Sequence, residues 1–489
     1  MTAAATTQRA ELSKQAVQST VWAYGSFVSG KFLVFISTII LARLLLPDEF
    51  GLMGYCIIAI QYLDILNGFG VGQALIARRD KVEEAANAAI VSGFVSGMLL
   101  FAVAWFGAPY LAIFFEDDRI TTLFRALAIV IPISAVGAIP SALIQRSLRF
   151  KAKFVPDIGR SVAKGIFSVV LAWQGFGVWS LIIGQIAGEV VATLILFALA
   201  GWRPTWKFDR RVNREVMGYG SSIISIGIAG ALISNVDYLL VGKVLGATAL
   251  GFYTFAYRIP DLVIRNTNFV IGKVAFPLLA QVQSDETELR VAYGTLLRYV
   301  ALFAIPAGIG LALIAPRFID TFFPDRWEPA TIVMQLISLS LAISAIGHLP
   351  GIIYKAINRP EILNWLSIAK LIATGIVLWF GVRWGINGVA VGQVGLAVMF
   401  VIIDVVVVAR VLRFGARDTF QAIAPTLAAT HVMAGVTVLL DRGPVPDGIV
   451  GLLVIVLVAV VAYIATLAVV SIETITSART VVRSAMKKS

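Results

Sequence analysis

The chain is predicted to be an all-α polytopic membrane protein with about fourteen spanning helices, arranged as two six-helix lobes followed by two more helices. Three observations predict this. Composition is the first: 59% of the 489 residues are apolar, only 14% are charged, and the mean hydropathy is +0.89, which leaves too little polar surface to clothe a water-soluble globule. The second is recurrence, because apolar stretches of about twenty residues, enough to cross about 30 Å of hydrocarbon, follow one another along the whole chain. The third is the placement of lysine and arginine in short loops after every second stretch. A β-barrel is excluded, since its strands alternate apolar and polar residues whereas Ile449 to Val470 is almost uniformly apolar.

The predicted spans of the first lobe are Ser19 to Leu45, Phe50 to Gly72, Ala86 to Ala108, Ile120 to Leu143, Ile158 to Gly175 and Val178 to Ala200. Those of the second are Val216 to Lys243, Gly251 to Lys273, Val291 to Ala315, Ala330 to Tyr354, Leu363 to Val382 and Ile386 to Ala409. Gln421 to Leu440 and Ile449 to Val470 complete the set. The chain accordingly divides into a polar N-terminal segment (1–18), a first lobe (19–215), a second lobe (216–418), the last two helices (419–472) and a basic tail (473–489). Met1 to Gln18 is polar and the first apolar stretch is too long for the core of a cleavable signal, so the first helix is expected to remain. Pro132, Pro140, Pro306 and Pro350 fall inside predicted helices, where a missing N–H should kink them.

Basic residues in short loops resist translocation and mark the cytoplasmic side. Alternate loops hold clusters such as Arg78, Arg79 and Lys81, then Arg146, Arg149, Lys151 and Lys153, then Arg203, Lys207, Arg210, Arg211 and Arg214. One face collects about 25 such residues and the other about 7, so both termini are expected in the cytoplasm. The net charge of +12 is then a signal of topology and of attraction to anionic membrane lipids, not of nucleic-acid binding.

The sequence also repeats. Ala42–Gly51 aligns with Gly242–Gly251, Ala108-Pro109 with Phe114-Phe115 recurs as Ala315-Pro316 with Phe322-Phe323, Ile133–Pro140 matches Ile343–Pro350, and Gly184-Gln185 recurs as Gly392-Gln393. Four matches in the same order indicate duplication. Because six helices separate the copies, both enter the membrane in the same direction, the arrangement of transporters whose halves rock about a central site.

Charges within the membrane are costly and should face protein or water. Lys31 lies in the first helix, Arg258 and Arg265 in the eighth with Asp261 between them, Arg160 and Lys164 in the fifth, and Lys370 in the eleventh. Acidic residues at comparable depth are Asp64, Glu189, Asp237 and Asp404. Snorkelling to headgroups is one reading for Arg160 and Lys164, which sit near a helix end, and Arg258 has Asp261 as a partner within reach. Lys31 and Arg265 lie too deep to escape easily. A basic, water-filled cleft suits an anionic group such as phosphate, while Asp64, Asp237, Asp261 and Asp404 would bind a coupling ion or balance neighbouring charge.

No soluble catalytic constellation competes. The lone Cys56 makes no disulfide, His348 and His431 stand on different helices without metal-ligand spacing, and there is no nucleotide-binding Gly-x-x-x-x-Gly-Lys. No cofactor or metal is expected, nor an enzyme; a polymerase or glycosyltransferase would want a longer loop or a catalytic acidic cluster. Glycine pairs such as Gly93 and Gly97 read as sites of close helix packing.

Leu41-Ala42-Arg43-Leu44-Leu45-Leu46-Pro47-Asp48-Glu49-Phe50-Gly51, Asn235-Val236-Asp237-Tyr238-Leu239-Leu240-Val241-Gly242-Lys243, Ala256-Tyr257-Arg258-Ile259-Pro260, Phe276-Pro277 and Asp325-Arg326-Trp327 together resemble the polysaccharide-transporter branch of the multidrug/oligosaccharidyl-lipid/polysaccharide (MOP) exporter superfamily, especially its Wzx-type oligosaccharide flippases. The resemblance implies a bacterial inner-membrane protein that moves undecaprenyl-pyrophosphate-linked sugar repeat units between leaflets by alternating access, for exopolysaccharide, capsule or lipopolysaccharide synthesis. It implies two lobes around a cationic cavity, with Lys31, Arg258 and Arg265 the candidates for holding pyrophosphate. Membrane lipids, a polysaccharide polymerase and a chain-length regulator would be partners of a monomer. A cation-coupled multidrug antiporter and a peptidoglycan-precursor flippase of the same superfamily are the alternatives, and the basic deep charges point away from the first.

Overall fold

A computed structural model describes residues 30, 33–67, 72, 75, 76, 78, 80–147, 150–205, 210–265, 279, 283 and 285–471. Lys31 lies outside the described residues, as does Phe276-Pro277. The described secondary structure is helical throughout: α1 (Leu33–Leu44), α2 (Pro47–Asn67), α3 (Val82–Phe115), α4 (Arg119–Leu127), α5 (Val130–Arg146), α6 (Phe150–Trp173) and α7 (Val178–Ala200). The long α8 (Arg210–Pro260) ends in a π turn at Asp261–Arg265. Beyond it come α9 (Glu286–Phe322), α10 (Ala330–Ile346), α11 (Leu349–Ala356), α12 (Pro360–Gly381), α13 (Gly385–Leu412), α14 (Ala416–Asp441) and α15 (Ile449–Val470).

Ten stretches among the described residues are long and apolar enough to cross a membrane, and the longest, Glu361–Leu412, holds both α12 and α13. The protein is therefore a multi-pass membrane protein. Its exposed large side chains are apolar along whole helix faces, such as Leu453, Leu457, Val461 and Ile464 of α15, as befits contact with lipid.

Several predicted spans are not single helices. The span Ile120 to Leu143 is α4 plus α5, and Ala330 to Tyr354 is α10 plus α11. Each break stands just before a proline, Pro132 or Pro350, which cannot donate to the carbonyl one turn back. Pro140 and Pro306 remain inside continuous helices. Predicted helices seven and eight run together as α8, interrupted at Gly246, whose φ of 84° and extended ψ only glycine adopts without strain.

The chain forms two compact units, one chiefly up to Asn235 and the other chiefly from Val236 onward. In the first, α6 packs along α7 and α3 along α5, and α5 also meets α7. In the second, α9 packs along α10, α10 along α13, and α12 along α13. The last two helices join the second unit: α14 and α15 pair and pack on α9, where Tyr463 donates a hydrogen bond to the Leu302 carbonyl at 2.8 Å. Cys56 is buried in α2.

The sequence repeat has a packing counterpart inside each unit. Tyr55 stacks on Phe115 at 4.1 Å, and Phe255, two hundred positions after Tyr55, meets Phe323 at 4.6 Å. The motif around Pro47 also acquires a physical role. Pro47 opens α2, Glu49 accepts from the Leu46 N–H at 2.7 Å, and Asp48 pairs with Arg119 at 2.7 Å.

Candidate functional site

In the first unit, glycines let α6 and α7 approach at backbone distance. A methyl group added at Gly188 would stand 2.9 Å from the Arg160 carbonyl, and one at Gly184 would stand 2.9 Å from the Lys164 carbonyl and collide with Ser168. Arg160 and Lys164 stand on the α6 segment held at this contact, and Glu189 sits half-way along the 23-residue α7. Arg160 Nη2 meets Glu189 Oε1 at 3.1 Å, and the carboxylate is almost wholly buried. Arg160 thus forms an internal ion pair instead of extending to a headgroup, because a buried carboxylate one helix away is the stronger partner.

This pair borders a cavity of 560 Å³ within the unit, a volume in the range of small-molecule sites. Asp64, Lys164, Gln61, Asn67, Gln185 and Ser134 also line it. Asp64 makes no hydrogen bond or ion pair among the described residues, but it lies within electrostatic range of Arg160 and Glu189. Asn67 is fixed by two donations from Nδ2, to the Ile131 carbonyl at 2.9 Å and to Ser134 Oγ at 3.0 Å.

In the second unit the polar residues divide into a sealed part and an open part. Asp237 is 4% exposed and its carboxylate accepts from Tyr253 Oη at 2.9 Å, Gln393 Nε2 at 3.0 Å and the Tyr238 N–H at 2.9 Å. Tyr238, Tyr253 and Tyr257 pack ring against ring around it, with centroids 5.4 to 5.9 Å apart. Gln393 is held in turn, for its backbone carbonyl accepts from Ser340 at 3.0 Å. Full satisfaction of the carboxylate makes Asp237 a structural anchor between α8 and α13.

The open part holds the cations. Arg265, on the π turn, pairs with Asp261 at 3.2 Å while its side chain keeps 53% of its exposure. Lys370 of α12 lies over the Phe400 ring at 5.6 Å and within electrostatic range of both Arg265 and Asp404. His348, at the break between α10 and α11, is within range of the same two cations. Arg258 is half-buried beside Tyr238 and Asp261 and makes no hydrogen bond or ion pair among the described residues.

Asp261 thus pairs with Arg265 and not with Arg258. The reason is backbone geometry: Pro260 ends the α-helical ladder and the next residues adopt i→i+5 bonding, which shifts the register that would stack Arg258 and Arg265 two turns apart. Nor is either cluster predominantly basic over the described residues. Arg160 and Lys164 face Asp64 and Glu189 in the first unit, and Arg258, Arg265 and Lys370 accompany Asp237, Asp261 and Asp404 in the second.

Residues 40–332 match the family model described as polysaccharide biosynthesis protein. The chain belongs to that family. Its relatives include the teichuronic acid biosynthesis protein TuaB of Bacillus subtilis, 24% identical over 76% of this chain and 78% of TuaB. The lipopolysaccharide biosynthesis protein WzxC of Escherichia coli K12 is 23% identical over 75% of this chain and 74% of WzxC. Among solved structures, the lipid II flippase MurJ in an inward closed conformation superimposes with a TM-score of 0.74 at 15% identity, covering 93% of this chain and 98% of MurJ. The fold of this family member is thus shared with the lipid II flippase MurJ.

Of the polar groups in this family member, the uncharged ones escaped sequence reasoning. Gln185 and Gln393 had a signal, since both stand in the repeated Gly-Gln pair, yet a lone glutamine in an apolar helix carries no charge to flag it. Asn67 and the tyrosines around Asp237 had none, because what makes them matter is the helix that each one faces.

Proposed function

We propose that this chain is a flippase for lipid-linked oligosaccharide repeat units in the bacterial inner membrane. The observation that carries the reading is a duplicated membrane transporter of the polysaccharide biosynthesis family that gathers Arg265, Lys370 and His348 in its second unit. Two cations from helices more than a hundred residues apart lie within range of each other, Arg265 beside Asp261 and Lys370 near Asp404, so an anion held between them would add to these carboxylates. A diphosphate would be gripped by these two cations, with Arg258 of the same unit as a further donor.

In this reading the diphosphate and sugars pass through polar interior while the polyprenyl tail stays in lipid. Unaided crossing is slow because sugar hydroxyls and phosphate charge must be stripped of water. The protein replaces that water with fixed donors and performs no covalent chemistry. Both termini lie in the cytoplasm, which follows from the loop lysines and arginines. The chain works as a monomer, alongside a polymerase and a chain-length regulator.

The test is deletion of the chain in its native host, followed by leaflet-resolved analysis of lipid-linked oligosaccharides. Accumulation of complete repeat units on the inner leaflet with loss of surface polymer is the expected result. Intact polymer with lost drug resistance would instead establish the antiporter reading, and arrested peptidoglycan synthesis the lipid II reading.

A further inference from the structure

We infer that His348 is the specificity-determining group of the second unit's cation cluster. It accepts a hydrogen bond from the first sugar, so that the site takes the sugar-loaded diphosphate in preference to the bare carrier. The inference rests on the flippase reading and says which feature of that substrate this residue reads.

His348 stands at the break between α10 and α11, and it is exposed while Leu349 and Pro350 beside it are buried. The sequence repeat sets Ile133–Pro140 against Ile343–Pro350, which makes Ala138 the counterpart of His348. Ala138 lines the cavity of the first unit. Duplication has thus put a hydrogen-bonding ring at a position that borders a polar cavity in the other copy.

The orientation of the ring fixes what it offers. Nδ1 lies 2.8 Å from the Ser344 carbonyl, and because a carbonyl only accepts, Nδ1 carries the proton. Above the ordinary imidazole range the ring is neutral and Nε2 is a lone pair. Nε2 makes no hydrogen bond among the described residues. Arg265 of the π turn and Lys370 of α12 lie within electrostatic range of the ring, and both can only donate. The cluster therefore combines two charged donors with one neutral acceptor.

This combination selects the ligand. Phosphate oxygens accept, so a diphosphate satisfies Arg265 and Lys370 but sets acceptor against acceptor at Nε2. A sugar joined to diphosphate through its anomeric carbon has a hydroxyl or an amide N–H on the next ring carbon, a donor only a few bonds from the phosphate. The bare carrier has none. A group placed to bond a substrate hydroxyl discriminates against the analogue that lacks it. Water reaches an exposed ring, so the preference is that of one ordinary hydrogen bond, about fivefold.

The test is binding by the purified full chain, at pH 8, of undecaprenyl diphosphate and of its glucosyl, galactosyl and N-acetylglucosaminyl conjugates. Wild-type protein is expected to bind at least one conjugate about fivefold more tightly than the bare diphosphate. His348→Phe keeps a ring of similar bulk and is expected to bind that conjugate and the bare diphosphate alike. His348→Gln retains an acceptor oxygen and is expected to recover part of the preference. The other histidine, His431, also donates from Nδ1 to a carbonyl, that of Leu427 at 2.8 Å, but stands on α14, so His431→Phe is expected to keep the wild-type ratio. A wild-type chain with no preference among the four probes would overturn the inference, as would His348→Phe that retains the preference. Equal weakening of all four probes by His348→Phe would make the ring a phosphate ligand and overturn it too. Failure of the flippase reading shows separately, as a deletion strain that accumulates no inner-leaflet repeat units, whatever ratio the purified chain gives.

Discussion

The two units start from one ancestral sequence and treat their buried carboxylates in opposite ways. In the second, Asp237 accepts from Tyr253, Gln393 and a backbone N–H, so both of its oxygens are hydrogen-bonded. In the first, Glu189 pairs with Arg160 among the described residues, and Gln185, which corresponds to Gln393 by the repeated Gly-Gln pair, lines the cavity beside them. A locked joint between α8 and α13 in the second unit thus contrasts with a cavity-bordering ion pair between α6 and α7 in the first. Duplication supplies the scaffold, and which hydrogen bonds are completed decides whether a position is structural or available to a ligand.

The contrast is broken most forcefully in the second unit's open cations. Arg265→Ala and Lys370→Ala are each expected to reduce surface polymer export by about thirtyfold, from about 2 kcal/mol of lost charge-assisted contact, with expression maintained. Complementation of the deletion strain measures this, and normal export in both variants would remove the diphosphate site.

A smaller effect separates the two carboxylates. Arg160→Ala leaves Glu189 without its partner and is expected to lower stability by about 2–3 kcal/mol, read as a fall in unfolding temperature in detergent, with much of the loss recovered when Glu189→Gln is added. Removing one of three donors from Asp237 should cost less. Tyr253→Phe is expected to destabilise by about 1–2 kcal/mol, since two hydrogen bonds to the carboxylate remain. If Tyr253→Phe instead cost more than Arg160→Ala, the locked joint would be the more fragile of the two.

The smallest effect concerns a turn. Asp117, outside the spanning segments, holds its carboxyl below the usual range because Arg119 donates to it, the two being 2.7 Å apart. A depressed folded-state value means that the contribution is present above the ordinary carboxylate value and lost as pH falls below it, through the folded-state value. Wild-type protein is expected to lose slightly more stability than Asp117→Asn as pH falls from about 5 to about 2, by less than about 1 kcal/mol because the pair is solvent-screened. Parallel melting curves for the two proteins would show no such divergence if the pair contributes nothing. The second copy buries Trp327 in the equivalent turn, against Phe255 at 4.4 Å.

Membrane residence, helical class and duplication were legible in the chain alone. Lipid admits only closed backbone hydrogen bonding, so an apolar run such as Ile449–Val470 has one available form, and repeated motifs survive as repeated letters. Charged site candidates were legible for a related reason, since a lysine or arginine in such a run is conspicuous. Only the tertiary structure decided their partners: that Glu189 takes Arg160 across the gap left by Gly188, that Pro260 and a π turn give Asp261 to Arg265, and that Asn67 ties α2 to the Ile131 carbonyl of α5. A hydrogen bond is settled within a few tenths of an ångström and a few tens of degrees, and those depend on how helices approach, which no single segment encodes.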